Sequence, residues 1–315
     1  MPESTGQHEK FKRLVEKAQA QSPVVTGVAH PCDEVSLEGA IEAARLKLIV
    51  PILVGPEARI RDVAARAKLD ISGLEIINAE HSHDSAKKAV ELVRMGRAEA
   101  LMKGSLHTDE LMAAVVSRET GLRTSRRVSH CFIMDVPGHA TPLVITDAAV
   151  NTAPSLEEKV DIVQNAIDLA HAMGVSDVRV AILSAMETVN ARVSSTIEAA
   201  ALCKMADRGQ ITGAVLDGPL ALDNAISPEA AQTKKIASPV AGRANVLVVP
   251  DLEAGNMLAK SLSFLAGADA AGIVLGARVP IILTSRADSL LTRLASCAVA
   301  VMVASARRTP AAAIP

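Results

Sequence analysis

The sequence contains almost no aromatic residues: its 315 residues include three Phe, no Trp and no Tyr. The aromatic side chains on which single-stranded nucleic acid stacks are therefore missing. Positive charge is not in excess either, because the formal net charge is -2, so no basic surface for DNA or an anionic membrane is expected. These absences exclude nucleic-acid and membrane partners and favour small-molecule substrates.

Cysteine is also scarce, with residues at positions 32, 131, 203 and 297 and no CxxC pair. This spacing favours reduced, buried thiols in a cytoplasmic protein over disulfides or zinc, and no metal is expected. The amino terminus is polar and lacks the apolar stretch of a signal peptide. The longest apolar run, residues 294–304, is shorter than the ~20 residues that cross a bilayer, and it predicts a buried helix.

Neither a Walker A motif nor a GxGxxG motif occurs in the sequence. Those motifs form the glycine-rich loops that hold nucleotide phosphates in P-loop enzymes and Rossmann dehydrogenases. The sequence therefore gives no support to a kinase or to a Rossmann dehydrogenase.

Short apolar runs alternate with helix-period segments along most of the chain. Such runs, lying between helices, predict parallel strands buried on both faces, so the predicted fold class is α/β. The length suits two α/β domains, each with its own core. The predicted strands are residues 23–29, 48–55, 74–78, 99–103, 178–184, 211–217, 245–250, 271–276 and 280–285.

One segment departs from this parallel pattern. Residues 128–136 and 143–146 are apolar, and the Pro- and Gly-containing residues 137–142 separate them. A turn of this composition predicts an antiparallel hairpin. We expect a domain boundary close to it.

The residues that follow the strand at 99–103 are candidates for binding an anion. In parallel sheets, ligands bind beyond the carboxyl ends of the strands, where helix amino termini offer free amide groups. A glycine permits close backbone approach and a lysine supplies charge, although an ordinary strand-to-helix turn would have the same composition. The candidates are Lys103, Gly104, Ser105, His107 and Thr108.

The end of the strand at 280–285 is a second candidate site, directly before the long apolar helix. Arg286 offers a planar guanidinium matched to phosphate oxygens, and Ser285 offers a neutral hydrogen bond. Asp288 is a candidate base and Ser289 a candidate substrate ligand. Either residue could instead simply cap the helix.

Two further polar clusters follow apolar strands. Asp217, Asp223 and Asn224 are predicted to lie in a binding loop after the strand at 211–217. Asp147 and Asn151 form a similar cluster after the hairpin. Each cluster places carboxylate and amide groups at a strand end, so both are predicted to bind substrate.

Two other polar groups give weaker signals. The segment 81–84, with sequence HSHD, has a spacing that could hold a metal, but a solvated loop is favoured. The basic residues Arg123, Arg126 and Arg127 could attract an anionic substrate, although such a run is more often a solvated surface.

Five segments together resemble the phosphate acetyltransferase and phosphate butyryltransferase family. The resemblance extends from about residue 10 to residue 305 and looks closest to the butyryltransferase branch. The segments are LMKGSLHTDELMAAVV, VSHCFIMDVPGHATPLVITDAAVNTAPSLEEKVDIVQNAIDLAH, GQITGAVLDGPLALDNAIS, VPDLEAGNMLAKSL and PIILTSRADS.

The resemblance implies a fold similar to isocitrate and isopropylmalate dehydrogenases, with two α/β domains around a cleft that holds the site. The first domain would span residues 1–132 and 277–315, and the second residues 133–276. The implied activity is reversible transfer of a short acyl group, acetyl or butyryl, between coenzyme A and inorganic phosphate. Acyl-CoA and phosphate would be substrates, no cofactor would be tightly bound, and the chain would form a homodimer or a dimer-based homo-oligomer.

The resemblance also assigns roles to individual residues. Ser285 and Arg286 match a functional pair, in which the arginine stabilises developing negative charge and the serine holds thiol or phosphate. The family aspartate proposed as base for the thiol is replaced by Thr292, and an active-site arginine is matched by Phe264. Asp288 is therefore the candidate base, with Asp147 and Asp217 as second choices.

Two alternative functions stay open on the sequence alone. A non-catalytic protein that binds coenzyme A or acyl phosphate is supported by the loss of the family aspartate at Thr292. A metal- and NAD-dependent dehydrogenase of the same fold would need clustered metal-binding aspartates on helices, and we find none in the sequence.

Overall fold

The structure is a computed structural model that describes residues 9–284 and 288–308. The chain divides into two compact units. The middle unit contains residues 9–10 and Ser129–Ala270, and the outer unit contains Phe11–Val128 and the described residues from Ala271 onward. The domain limits at residues 133 and 277 that the sequence suggested stay a prediction.

The outer unit alternates strands and helices, which confirms its α/β class. Strands β3, β2, β1, β4 and β11 pair in parallel in that order, and β10 pairs antiparallel with β11. Its elements are α1 (Glu9–Gln19, whose first two residues belong to the middle unit), β1 (Val24–Ala29), α2 (Glu34–Arg45), β2 (Ile49–Gly55), α3 (Glu57–Ala67), β3 (Glu75–Asn78), α4 (Ser82–Arg94), β4 (Ala100–Lys103), α5 (Thr108–Val115), β10 (Asp269–Leu275, whose first two residues belong to the middle unit), β11 (Ile281–Ile282) and α11 (Leu290–Arg308).

The middle unit has the same class. Strands β5 and β6 form the predicted antiparallel hairpin, and β6, β9, β7 and β8 then pair in parallel. Its elements are β5 (Ser129–Asp135), β6 (Leu143–Thr146), α6 (Leu156–Ala172), β7 (Arg179–Leu183), α7 (Ser194–Asp207), β8 (Val215–Leu220), α8 (Leu222–Ile226), α9 (Pro228–Thr233), β9 (Val246–Val248) and α10 (Leu252–Leu265).

Two strand predictions need correction. β10 and β11 were expected to be parallel, but five residues separate them, whereas a parallel crossover needs about a dozen. The strand expected at 211–217 begins only at Val215, because Gly213 has a φ of 86° and belongs to the preceding turn. The predicted binding-loop residue Asp217 therefore lies inside β8 rather than beyond it.

Helix α11 forms the centre of the outer unit's core. By length and composition it is the one helix, within the part of the chain that the structure describes, that could cross a membrane. Its residues 292–301 are buried against the rest of its unit. The structure thus places the apolar run 294–304 in a buried helix, as predicted.

The cores of both units are aliphatic. The buried apolar residues are Val, Ile, Leu, Ala, Met and Cys, together with the single buried Phe11. In the middle unit, Gly255 of α10 packs directly on Ala148 and Val249. A Cβ at position 255 would lie 2.7 Å from Val249 Cγ2 and 2.8 Å from Ala148 Cβ.

We therefore predict that Gly255→Ala destabilises the middle unit. Overpacking costs about 1–3 kcal/mol, and the better helix propensity of alanine offsets up to about 1 kcal/mol of it. Urea unfolding measures the change. Ser261→Ala on the exposed face of the same helix should stay within about 0.5 kcal/mol of the wild type. A Gly255→Ala protein at least as stable as the wild type would contradict this packing.

Candidate active site

Gly104 brings the ends of β4 and β1 into direct backbone contact. Its N–H donates to the carbonyl of Ala29 at 2.9 Å, and the N–H of Ser105 donates to the carbonyl of His30 at 2.9 Å. A Cβ at position 104 would lie 2.4 Å from the Ala29 oxygen and 2.5 Å from the His30 oxygen. The glycine was expected to permit close backbone approach, and here the neighbouring strand makes that approach; a role of Gly104 in binding a ligand stays a prediction.

Lys103 ends β4 as a buried cation with 7% of its surface exposed. Its Nζ lies 3.3 Å from the carbonyl oxygen of Gly104. Ser105 donates its hydroxyl to the carbonyl of His30 at 2.8 Å. The three residues Lys103, Gly104 and Ser105 form one compact turn, which we call the β4 turn.

Helix α5 begins at Thr108, and its amino terminus is already capped. Glu110 accepts hydrogen bonds from the N–H of His107 at 2.7 Å and from the hydroxyl of Ser82 at 2.6 Å. The Ser82 hydrogen bond is the main reason that the pKa of Glu110 is lowered. His107 is exposed, so its side chain is available to a ligand.

The register of the outer sheet places a second strand end beside the β4 turn. Ile281 and Ile282 of β11 pair in parallel with Leu101 and Met102 of β4. The chain that follows β11 therefore leaves the same edge of the sheet as Lys103. Ser285 and Arg286, the predicted catalytic pair, lie outside the described residues.

The beginning of α11 resolves the roles of Asp288 and Ser289 only in part. The hydroxyl of Ser289 accepts the N–H of Thr292 at 3.1 Å, so Ser289 caps the helix. The backbone carbonyl of Asp288 accepts a hydrogen bond from the buried Arg293 at 2.5 Å. The capping alternative therefore holds for Ser289, and the base role of Asp288 stays a prediction.

The sequence prediction missed His30, which directly follows β1. Its Nδ1 lies 2.9 Å from Ser85 Oγ, and the side chain is buried. Burial is the main cause that lowers its pKa, with the positive charge of Arg59 as the second cause. The signal in the sequence was a polar residue directly after an apolar strand, since His30 follows the run 23–29.

In the middle unit, Asp147 is buried and fully occupied by its own chain. Its Oδ1 accepts the N–H groups of Ala149 at 2.9 Å and Val150 at 3.0 Å. Its Oδ2 accepts the Nδ2 of Asn151 at 2.6 Å and the backbone N–H groups of Asn151 and His130, both at 3.2 Å. Five donors surround the carboxylate, which favours a structural role for Asp147 and Asn151 in this turn over the predicted base and substrate-binding roles.

Asp223 and Asn224 are in helix α8 and join a second network. Asn224 is completely buried, donates to the carboxylate of Glu187, and has an Oδ1 that finds no partner among the described residues. Lys234 binds Glu187 at 2.7 Å and lies 3.6 Å from the exposed Asp223. The hydrogen bond to Glu187 raises the pKa of Lys234. Glu187 and Lys234 were not predicted from the sequence.

The remaining candidates are not brought together. Asp217 accepts the N–H of Gly218 at 2.8 Å within β8, and Arg123 forms a backbone bridge with Ala277. His81 caps α4, so the segment 81–84 begins a helix rather than a solvated loop. Within residues 9–284 and 288–308, no group of three or more His, Cys, Asp or Glu is placed to hold a metal ion.

The fold defines the class as an α/β protein, with polar residues at the carboxyl ends of its parallel strands. Residues 79–301 match the family described as "Phosphate acetyl/butaryl transferase". The chain belongs to this phosphate acetyl/butyryl transferase family.

Named relatives agree with this family. A phosphate acetyltransferase of Rhizobium meliloti is 68% identical over 302 residues, which cover 96% of each chain. A phosphate butyryltransferase of Clostridium acetobutylicum is 40% identical over 294 residues, which cover 93% of this chain and 98% of the relative. Of the two, the acetyltransferase is nearer, whereas the sequence resemblance had favoured the butyryltransferase branch.

A solved structure supports the fold as well. The crystal structure of a branched-chain phosphotransacylase from Enterococcus faecalis V583 superposes with a TM-score of 0.78. The two sequences are 28% identical, and the match covers 89% of this chain and 99% of the other. The α/β fold is therefore shared with a phosphotransacylase over most of the chain.

We predict that Asp147→Asn destabilises the middle unit rather than weakening substrate binding. One carboxamide oxygen would replace two acceptor atoms, and the new NH2 group would face N–H donors, at a cost of about 2–4 kcal/mol. Urea unfolding and the KM for phosphate measure the two effects. The exposed Asp207→Asn is the control and should leave the unfolding midpoint unchanged. A raised KM with wild-type stability would show that Asp147 binds substrate.

Proposed function

We propose that this chain catalyses reversible transfer of a short acyl group between the thiol of coenzyme A and inorganic phosphate. Family membership supports this acyltransferase activity. The structural observation that carries it is the parallel pairing of β4 with β11. That pairing puts the end of β11 beside the buried Lys103, and Ser285 and Arg286 follow β11 in the sequence.

In the proposed reaction, the main task of the protein is to stabilise the negative charge that develops during acyl transfer. The thiolate attacks the acyl carbon of an acyl phosphate, and negative charge develops on the acyl oxygen and the departing phosphate. Arg286 and amide groups at the strand ends would stabilise that charge, and Ser285 would hold thiol or phosphate. Coenzyme A is a substrate here, and no tightly bound cofactor takes part.

We propose acetyl as the preferred acyl group. The 68% identity to the Rhizobium meliloti acetyltransferase, against 40% to the Clostridium acetobutylicum butyryltransferase, supports this choice. Phe264, which the resemblance matched to an active-site arginine, is 81% exposed on α10. The fold of isocitrate and isopropylmalate dehydrogenases, with two domains around a cleft, stays part of the same proposal.

Assembly and location are further proposals. Helix α10 exposes the large apolar residues Met257, Phe264 and Leu265, which supports a homodimer or a dimer-based homo-oligomer. All four cysteines are unpaired, which supports a cytoplasmic location.

The non-catalytic alternative rests on Thr292. Its side chain is buried and lies 3.2 Å from the hydroxyl of the capping Ser289, so it cannot replace the family aspartate as a base. If no other residue supplies the base, the chain would bind coenzyme A or acyl phosphate without turnover. A metal- and NAD-dependent dehydrogenase would instead reduce NAD without releasing coenzyme A.

We predict that the purified chain releases free coenzyme A from acetyl-CoA only when inorganic phosphate is present. Initial rates with acetyl-, propionyl- and butyryl-CoA should give the highest kcat/KM with acetyl-CoA. A thiol reagent measures the release. Binding of acetyl-CoA without phosphate-dependent release would support the non-catalytic alternative, and a higher kcat/KM with butyryl-CoA would contradict the acyl preference.

We predict that Arg286→Ala lowers kcat on the order of a hundredfold, because the variant loses stabilisation of transition-state charge. Arg278→Ala is the matched control, since Arg278 is an exposed arginine shortly before in the same unit. Its kcat should stay at the wild-type value. A fully active Arg286→Ala enzyme would remove Arg286 from the mechanism while leaving the activity itself established.

A further inference from the structure

The ring of His30 is held in one tautomer. The hydroxyl of Ser85 donates to the carbonyl of His81 at 2.8 Å, which uses its single hydrogen. The Nδ1 of His30, 2.9 Å from the same oxygen, must therefore donate to it. In the neutral ring, Nε2 then carries the free lone pair.

The side chain of His30 is partly accessible to solvent. His30 has 8% of its surface exposed. Its Nε2 has no hydrogen bond to any described residue. Three side-chain atoms of the described residues are both fully buried and unpaired, namely His130 Nδ1, Asp135 Oδ2 and Asn224 Oδ1, and Nε2 of His30 is not one of them. The exposed part of the side chain therefore includes the basic atom.

The backbone of His30 is fixed beside the β4 turn. Its carbonyl accepts three hydrogen bonds, from the N–H of Cys32 at 2.8 Å and from the N–H and hydroxyl of Ser105 at 2.9 and 2.8 Å. The residue has a φ of 58°, in the left-handed region. This constrained position fixes the backbone of His30 beside the β4 turn.

Charged groups from each neighbouring element face the ring. Arg59 of α3 and His81 at the start of α4 lower its pKa, whereas Glu110 of α5 and Asp33 at the start of α2 raise it. Burial has the largest effect and lowers the pKa. The ring is therefore neutral near pH 7, which keeps the Nε2 lone pair available.

Three other acid–base groups lie near His30, and each has a different role in the structure. Burial raises the pKa of the Cys32 thiol to about 11. Asp33 accepts the N–H of Ser36 as the cap of α2, and Glu110 caps α5 and binds Ser82. The Cys32 thiol therefore stays protonated near pH 7, both carboxylate oxygens of Glu110 accept hydrogen bonds, and Asp33 uses one of its two oxygens as the helix cap.

We propose that His30 is the general base that takes the proton of the coenzyme A thiol. This inference rests on the proposed function, which supplies the thiol and the acyl phosphate. The S–H proton moves to Nε2, the thiolate forms a bond to the acyl carbon, and the bond from that carbon to the phosphate oxygen breaks. The imidazolium then returns the proton to the departing phosphate, so the ring is regenerated and no proton is lost.

The test is His30→Asn, assayed with acetyl phosphate and coenzyme A. Asparagine tolerates the left-handed backbone, and its Nδ2 can replace Nδ1 as donor to Ser85, but it has no basic nitrogen. We expect kcat to fall on the order of a hundredfold. In the wild type the rate should rise with pH as the ring loses its proton and then level off. In the variant it should keep rising toward the thiol pKa, ~8.5.

Two controls separate chemistry from structure. His83→Asn replaces an exposed histidine of α4 and should leave kcat and the pH profile unchanged. If His30→Asn does not fold, His30→Gln serves for the same measurement. A folded His30 variant with the wild-type rate and pH profile overturns the proposal. An inactive wild-type enzyme would instead refute the proposed function itself, so the two failures are distinguishable.

Discussion

The outer unit depends on one backbone contact, the approach of Gly104 to Ala29 and His30. Because Gly104 has no Cβ, two parallel strands can end within hydrogen-bonding distance of each other's turns. The same contact fixes the backbone of Lys103, Ser105 and His30 relative to one another. A side chain at this position would separate the groups on which the proposed chemistry relies.

The sequence was sufficient to predict the α/β class and most strands. Strands buried on both faces appear as continuous apolar runs, and the Pro- and Gly-containing turn predicts the β5–β6 hairpin. The antiparallel pairing of β10 with β11 was missed because apolar content does not encode direction. The direction of pairing is indicated instead by the short connection between the two strands, which is too short for a parallel crossover.

The site was predicted unevenly, and for a physical reason. Sequence shows where polar groups follow strands but not which donors already occupy them. Asp147 looked like a substrate ligand, yet five N–H groups of its own chain surround its carboxylate. Asn224 was predicted to lie in a binding loop, yet it is in helix α8 and buried against Glu187. His30 was overlooked because a single histidine carries no motif, and its tautomer becomes visible only through Ser85 and His81.

The position of β11 in the outer unit has a consequence for biosynthesis. Strand β11 pairs with β4, yet 177 residues lie between Lys103 and Ile281. A nascent chain that has completed β1 to β4 therefore holds an open sheet edge until the last segment leaves the ribosome. Unpaired edges of this kind favour aggregation. Premature termination before residue 281 would release a chain whose amino-terminal half is fully translated but has no partner for its exposed strand.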